Sequence, residues 1–137
     1  MSYLVDTTVI SEWRKTSPNK GVVGWFSRTH KGDMFLSVIT IGEVQRGIDL
    51  LRQRNDHQQA SKLEAWLETI KREFADRLIP VTVEITDEWG HLAGATPIRT
   101  ADGLLAATAQ VHGWRLITRN TRNFEGTGVR LENPFTN

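Results

Sequence analysis

The chain has 137 residues, of which 39% are hydrophobic and 24% charged, a composition typical of one globular domain over 1–137. It contains no cysteine, which excludes disulfides, thiolate metal sites and thiol nucleophiles. The formal net charge of +1 is too balanced to indicate a nucleic-acid partner from bulk electrostatics. The first residues do not resemble a secretory signal and no apolar run is long enough to cross a bilayer, so a cytoplasmic protein without a membrane partner is expected.

Short apolar runs alternate with longer helical patterns along the chain. Five runs rich in Val, Ile, Leu and Phe are brief enough to be strands, at 4–6, 35–38, 78–83, 116–118 and 129–131. Between the second and third runs, apolar residues recur at helical spacing over 41–51 and 63–74. With the polar stretch 52–59 as its turn, this region is predicted to be a helical hairpin inserted between strands.

The last predicted helix covers 101–112. Thr100 is its candidate N-cap, Gly113 supplies a C-terminal stop, and four alanines within it would let it lie close against a sheet. Alternating strands and helices indicate a parallel sheet, because parallel neighbours need crossover connections. The predicted fold class is therefore α/β, a single domain with a parallel central sheet and helices on both faces.

Polar residues that follow the predicted strands are candidates for a functional site, because ligands of open parallel sheets bind beyond the carboxyl ends of the strands. Asp6 closes the first strand, Glu43 falls in the first turns of the helix after the second, and Asp102 opens the helix before the fourth. Asn120 and Asn123 follow the fourth strand. These five residues are expected to converge on one edge of the sheet.

Each of the three acids, taken alone, has a structural interpretation. Asp6 lies between a strand and a helix, where aspartate usually acts as a cap, and Asp102 is a favourable charge at a helix N-terminus. Glu43 alone is typical of a solvated helix residue. Taken together they favour a site, because each lies in an apolar setting where a buried unpaired charge is costly. A hard cation would relieve that cost, and ligands that are all oxygen favour Mg²⁺ or Mn²⁺ over zinc.

Three segments around these acids occur in a characteristic order. They are YLVDTTVISE from Tyr3, ITIGEVQRGI around Glu43, and TADGLLAATA followed by LITRN, which contain Asp102 and Asn120. This ordered set resembles the PIN domain family, and more narrowly the VapC and FitB type of toxin nuclease found in bacterial toxin–antitoxin pairs. The resemblance runs from Tyr3 to the Asn-Pro-Phe near the C-terminus.

The resemblance implies a set of functional expectations. Asp6, Glu43 and Asp102 would ligate one or two Mg²⁺ ions, with Mn²⁺ as a substitute, and the Thr7 hydroxyl would support the site through a hydrogen bond. The implied activity is endonucleolytic cleavage of RNA by a metal-activated water, held inactive by a cognate antitoxin protein. A homodimer is also expected, because a small domain with an apolar hairpin and five Trp has surface to bury.

Two departures from the family pattern support an alternative. Thr8 stands where the family often has Asn, and Asn120 and Asn123 are amides where the family usually places a fourth carboxylate. An amide oxygen is a neutral and weaker ligand, which weakens a second metal position. The alternative is therefore a PIN-like module that binds RNA or a partner protein without turnover.

Several arginines lie near the proposed site in the sequence. Arg119 and Arg122 flank Asn120 beside a strand end and are candidates for phosphate contacts, which would supply sequence-independent binding of RNA. The alternative for them is solvated surface. Weaker candidates of the same kind are Arg14, Arg46 and Arg99.

Overall fold

Five short strands and six helices alternate along the chain in the computed structural model, which describes residues 1–137. Two short 3-10 turns, Lys31–Asp33 and Thr121–Phe124, lie between them. None of the helices has both the length and the hydropathy that a bilayer crossing requires. The elements in chain order are β1 (Tyr3–Val5), α1 (Thr7–Trp13), α2 (Lys20–Arg28), β2 (Met34–Ser37), α3 (Val38–Gln53), α4 (His57–Glu73), β3 (Leu78–Ile79), α5 (Val83–Ala95), α6 (Thr100–His112), β4 (Arg115–Ile117) and β5 (Leu131–Glu132).

The strands form one sheet in the order β3-β2-β1-β4-β5, and every neighbouring pair is parallel. Leu4 of β1 lies opposite Phe35 on one side and Leu116 on the other, which fixes the register at the centre. The predicted α/β class with a parallel sheet is confirmed. Because β1 is the central strand, the residue that follows it lies in the middle of the carboxyl edge of the sheet.

Side chains alternate across the sheet and build two separate cores. Leu4 and Leu116 face one side, where they pack with buried residues of α5 and α6. Val5 and Ile117 face the other side, where they pack with buried residues of α1, α2 and α4. Alternation with a period of two in the strands thus places helices on both faces, as predicted from the sequence.

The predicted helical hairpin is formed by α3 and α4. Its helices pack through a small cluster of their own, made by Val44, Ile48, Ala60 and Leu67. Asn55 turns the chain between them with a φ of 63°, a left-handed conformation that asparagine tolerates better than most residues. The hairpin therefore has local apolar support in addition to its contact with the sheet.

The N-terminus of α6 differs from the sequence prediction. Thr100 is the first residue of the helix and not its N-cap, since the backbone N–H of Gly103 donates to the carbonyl oxygen of Arg99 at 2.8 Å. The capping interpretation of Thr100 was wrong because Arg99 accepts the first helical hydrogen bond. The stop at Gly113 is confirmed, where a φ of 71° gives the left-handed ending that glycine permits.

The region between the hairpin and α6 was only partly predicted. The third strand is limited to Leu78–Ile79, because Pro80 lacks a backbone N–H and cannot extend the ladder. Thr82 then caps α5 by accepting the N–H of Ile85 at 3.3 Å. Helix α5 is not among the predicted elements, although Ile85 and Leu92, both buried, stand at helical spacing.

Candidate active site

The carboxyl edge of the sheet gathers polar side chains that follow neighbouring strands. Asp6 directly follows β1, and Thr118 directly follows β4. Ser37 ends β2 and caps α3 by accepting a backbone N–H at 3.0 Å, which fixes the start of the helix that carries Glu43. The first turn of α6 adds Asp102, whose charge acts on both of the other acids.

Asp6 is buried, with 6% of the residue exposed, and two hydroxyl groups hold its carboxylate. The Oγ1 atoms of Thr118 and Thr8 donate to its Oδ2 atom at 2.7 and 2.9 Å. Asp6 occupies the N-cap position of α1, as the capping interpretation expects, but its side chain makes no capping hydrogen bond to the helix. Burial raises the pKa of Asp6, the hydroxyl bonds oppose that rise, and the charge of Asp102 adds to it.

Glu43 projects from α3 toward the same edge and is half-buried. The Oγ1 atom of Thr7 donates to its Oε1 atom at 2.7 Å, which is the supporting bond expected from the sequence. Burial is the main cause that raises the pKa of Glu43, the Thr7 bond lowers it, and the charges of Asp6 and Asp102 raise it further. Glu43 is therefore not an isolated surface residue, because the other two acids destabilise its ionised form.

Asp102 is buried to the same extent as Asp6 but has a charged partner. Arg99 donates from Nε to Oδ2 at 3.0 Å and from Nη2 to Oδ1 at 3.2 Å, a bidentate ion pair. The carboxylate raises the pKa of the Arg99 guanidinium, and the charges of Glu43 and Asp6 contribute. Both oxygens of Asp102 are thus occupied by a cation that the chain itself supplies.

The donor chemistry of this site fits a hard divalent cation. Its carboxylates supply only oxygen ligands, which hard cations prefer. Burial disfavours the ionised forms of Asp6 and Glu43 and raises their pKa values, and a bound cation would stabilise these ionised forms. No group of three or more acidic, histidine or cysteine side chains is arranged to hold a metal ion directly. Mg²⁺ usually keeps several waters and takes one or two carboxylates, so the fit does not require three direct ligands.

The two candidate amides occupy different positions. Asn120 follows β4 closely, its backbone N–H donates to Thr118 Oγ1 at 3.1 Å, and it lines a pocket together with Thr8. Asn123 is exposed on the 3-10 turn after β4, where its backbone N–H donates to the carbonyl oxygen of Asn120 at 3.0 Å. Asn120 thus adjoins the residues that hold Asp6, and Asn123 lies one turn farther along the chain.

A polar pocket of about 440 Å³ lies beside α1. It shares Thr8 with the Asp6 hydrogen-bond network, and its two arginines are held against aromatic rings. The guanidinium carbon of Arg119 lies 4.5 Å from the ring centre of Phe135, and that of Arg14 lies 5.9 Å from that of Trp66. The residues that line this polar pocket are Thr8, Ser11, Glu12, Arg14, Lys15, Arg119 and Asn120.

A comparison with known proteins identifies the family. The PIN domain family model matches residues 3–129. The chain belongs to the PIN domain family. This confirms the resemblance seen in the sequence motifs.

Relatives of this PIN domain match it over nearly its whole length. It is 32% identical to the toxin FitB of Neisseria gonorrhoeae, covering 96% of this chain and 97% of that protein. It is 30% identical to the VapC ribonuclease Y4jK of Sinorhizobium fredii, covering 96% of each. Among solved structures it matches FitAcB from Neisseria gonorrhoeae with a TM-score of 0.85 and 33% identity, covering 96% of this chain and 97% of that one.

Sequence reasoning missed three residues that complete the site of this PIN domain. Thr8 and Thr118 donate hydrogen bonds to Asp6. Thr118 directly follows β4, a position at which functional residues of parallel sheets are expected. Arg99 was considered only as a phosphate contact or as solvated surface, yet it is paired with Asp102. The spacing of three residues between Arg99 and Asp102 at the start of a helix was the available signal.

Proposed function

We propose that this PIN domain is a magnesium-dependent endoribonuclease that acts as the toxin of a toxin–antitoxin pair. The observation that carries the proposal is the approach of Asp6, Glu43 and Asp102 at the carboxyl edge of the sheet, where burial raises the pKa values of Asp6 and Glu43 and the charge of Asp102 adds to that rise. Such a cluster is stabilised in its ionised form by a divalent cation. Its relatives named as a toxin and as a ribonuclease support the same activity.

Asp6, Glu43 and Asp102 would hold the cation, with Mg²⁺ as the cofactor and Mn²⁺ as a substitute. A divalent cation bound there lowers the pKa of water and offsets the charge that develops on a phosphodiester. The Thr118 and Thr8 hydroxyls fix the orientation of Asp6, since both donate to the same oxygen atom. These donors are neutral, so they orient the carboxylate and leave its charge to attract the cation.

The polar pocket beside Asp6 supplies a path for the RNA backbone. Arg119 and Arg14 are exposed there and form no ion pair, whereas Lys15 is paired with Glu12 at 2.8 Å. The charge of Arg119 also acts on Glu12. Arginines that rest on aromatic rings lose less freedom when they bind phosphate, because their orientation is already restricted. Phosphate contacts at Arg119 and Arg14 would place the adjacent phosphodiester at the three acids.

Metal removal and two matched variants test the nuclease proposal. Purified protein is expected to cleave RNA with Mg²⁺ or Mn²⁺, to stop in excess chelator, and to resume when the cation is added back. Glu43→Gln and Asp102→Asn, which keep the side-chain size, should lose most of this activity. Full cleavage in chelator, or by both variants, would overturn the proposed mechanism.

A binding module without turnover is the second candidate function. It is favoured by the lack of three acids arranged to hold an ion directly and by the amides at Asn120 and Asn123. A module of this kind would retain RNA or partner protein with equal affinity in Mg²⁺ and in chelator, and would produce no cleaved ends. Gel analysis of end-labelled RNA incubated with the protein separates this outcome from cleavage.

The proposed antitoxin contact is the apolar pocket of about 310 Å³ between α1, α2 and α4, on the opposite side of α1 from the polar pocket. Trp13 is 42% exposed and packs against Phe26 at its rim, with ring centres 4.5 Å apart and the ring planes tilted by 36°. Exposed aromatic surface of this kind is typical of protein interfaces. Trp13→Ala is expected to reduce neutralisation by the co-expressed antitoxin and to leave RNA cleavage unchanged.

The proposed homodimer has separate exposed apolar residues available on other elements. Val38 and Leu50 are exposed on α3, and Val83 is 78% exposed at the start of α5. Light scattering at micromolar concentration should give twice the chain mass. A monomer at that concentration would remove the dimer from the proposal.

A further inference from the structure

The ion pair between Arg99 and Asp102 joins an exposed cation to a buried acid of the candidate active site. The Arg99 side chain is 69% exposed, whereas that of Asp102 is 8% exposed. Its guanidinium donates to both carboxylate oxygens, the bidentate geometry that arginine forms best. Of the three acids, Asp102 is the one with a cation bound to it, because Asp6 and Glu43 accept hydroxyl groups.

The position of Arg99 makes it a partner of the whole acid cluster. It precedes α6 directly, so the backbone at the helix start fixes where its side chain begins. Its charge stabilises ionised Glu43 as well as Asp102, and the charges of Asp6 and Glu43 in turn favour protonated Arg99. The Arg99 guanidinium therefore neutralises part of the negative charge of the acid cluster, which a bound cation would otherwise neutralise.

We propose that Arg99 is an internal counter-ion that competes with the divalent cation for Asp102. The site then has two arrangements, one in which Asp102 is paired with Arg99 and one in which Asp102 faces the cation and the guanidinium has turned to solvent. The exposure of Arg99 makes this exchange inexpensive, since the released guanidinium is hydrated.

This inference depends on the proposed cation site but not on RNA cleavage, so its test uses metal binding without RNA. Titration calorimetry with Mn²⁺ alone is carried out on wild type, Arg99→Gln and Arg99→Lys. Arg99→Gln removes the competing charge, and the Kd for Mn²⁺ is expected to fall roughly three- to tenfold. Arg99→Lys keeps the charge but lacks the bidentate fork, so its Kd should lie between the other two.

A matched control separates competition at Asp102 from a change in net charge. Arg54→Gln removes the same charge from the hairpin turn, where Arg54 is exposed and pairs with no acid, and should leave the Kd unchanged. Thermal unfolding gives a second readout. In chelator, Arg99→Gln should melt below wild type because Asp102 loses its partner, and saturating Mn²⁺ should raise its melting temperature by more than that of wild type.

The Mn²⁺-binding results test the competition by Arg99 separately from the proposed nuclease activity. An unchanged or weaker Mn²⁺ affinity in folded Arg99→Gln would overturn the competition even if wild type cleaves RNA. If Arg99→Gln does not fold, Arg99→Lys decides the matter, and an affinity equal to that of wild type would overturn the competition. Absence of Mn²⁺ binding in wild type and both variants would overturn both this inference and the proposed metal dependence.

Discussion

The two sides of the candidate active site hold equally buried aspartates in different ways. Asp6 and Asp102 are each 6% exposed. On the strand side, Asp6 accepts two neutral hydroxyl groups, whereas on the helix side Asp102 accepts a guanidinium. Neutral donors satisfy the lone pairs of a carboxylate and leave its charge in place. A guanidinium satisfies the lone pairs and also neutralises the charge. On the strand side no cation of the chain offsets the negative charge of Asp6, whereas on the helix side Arg99 compensates the charge of Asp102.

Replacement of Asp6 is expected to have the largest effect on activity. Asp6→Asn removes the charge that no internal cation offsets, and RNA cleavage should fall by more than about a hundredfold. In chelator at neutral pH the same variant should be at least as stable as wild type, because a neutral amide is easier to bury. Cleavage rates and thermal unfolding measure the two effects.

Asp102→Asn should affect stability differently from Asp6→Asn. It breaks the ion pair with Arg99 and should therefore lower the melting temperature in chelator. Asp87→Asn, an exposed position on α5, is the control for both variants and should change neither rate nor stability. If Asp6→Asn and Asp102→Asn shift the melting temperature in the same direction, the distinction between the strand side and the helix side is wrong.

The hydroxyl support of the strand side is the next test. Thr118→Val removes the 2.7 Å donor to Asp6, and we expect a loss of about 1–3 kcal/mol in unfolding free energy and roughly tenfold in cleavage rate. Thr108→Val is the matched control, because the buried Thr108 hydroxyl donates to the carbonyl oxygen of Leu104 within α6. That control should lose stability without losing activity, and equal losses of activity in both would show a general effect of packing.

The pH dependence of stability tests the raised pKa values. Burial raises the pKa of Asp6 above its ordinary value of 3.8 and that of Glu43 above 4.5. The folded protein then binds more protons than the unfolded chain, so this contribution to stability is complete below those ordinary values and is lost as the pH rises through the raised ones. A double variant, Asp6→Asn with Glu43→Gln, lacks this dependence.

Denaturant unfolding at a series of pH values in chelator measures the difference in stability between wild type and the double variant. We expect this difference to fall as the pH rises through that range, and Mg²⁺ to reduce the fall. A difference that increases with pH would show that the folded state favours the ionised acids without a cation.

The smallest expected effect concerns the amides. Asn123→Asp adds a carboxylate after β4, and we expect it to tighten Mn²⁺ binding by about twofold if position 123 faces the site. Asn120→Asp is compared with it, because Asn120 lies nearer to the hydroxyls that hold Asp6. Calorimetry on both variants, with Asn55→Asp in the hairpin turn as the control, shows which position corresponds to the fourth carboxylate of the family. Tightening by Asn55→Asp as well would indicate a non-specific charge effect.

Much of the fold could be predicted from the sequence because its signals are local. The strands are brief apolar runs, and the hairpin repeats apolar residues at helical spacing over two long segments. Helix α5 was not predicted, because its start is the β-branched run Val81 to Val83 and Gly90 and Gly94 interrupt its pattern. Its stability comes from packing of Ile85 and Leu92 against α6, which is a tertiary effect.

The acids of the site and the support from Thr7 could be predicted, but the partners of Asp6 and Asp102 could not. Asp6, Glu43 and Asp102 follow from the rule that ligands bind at the carboxyl ends of parallel strands. The pairing of Asp102 with Arg99 depends on the direction that the exposed Arg99 side chain takes at the start of α6. The sequence alone does not determine that direction. The Thr118 hydroxyl reaches Asp6 across 112 residues of chain, a contact that only the order of the strands creates.

The separate apolar cluster of the α3–α4 hairpin has a practical consequence for work on this protein. Gln53 lies ten residues beyond Glu43 on α3, about 15 Å along the axis at 1.5 Å per residue. Because Val44, Ile48, Ala60 and Leu67 fix the two helices to each other, the turn around Asn55 can be altered without moving Glu43. That turn is a suitable attachment point for a fluorophore or an affinity tag on a protein whose active form is expected to be toxic to its host.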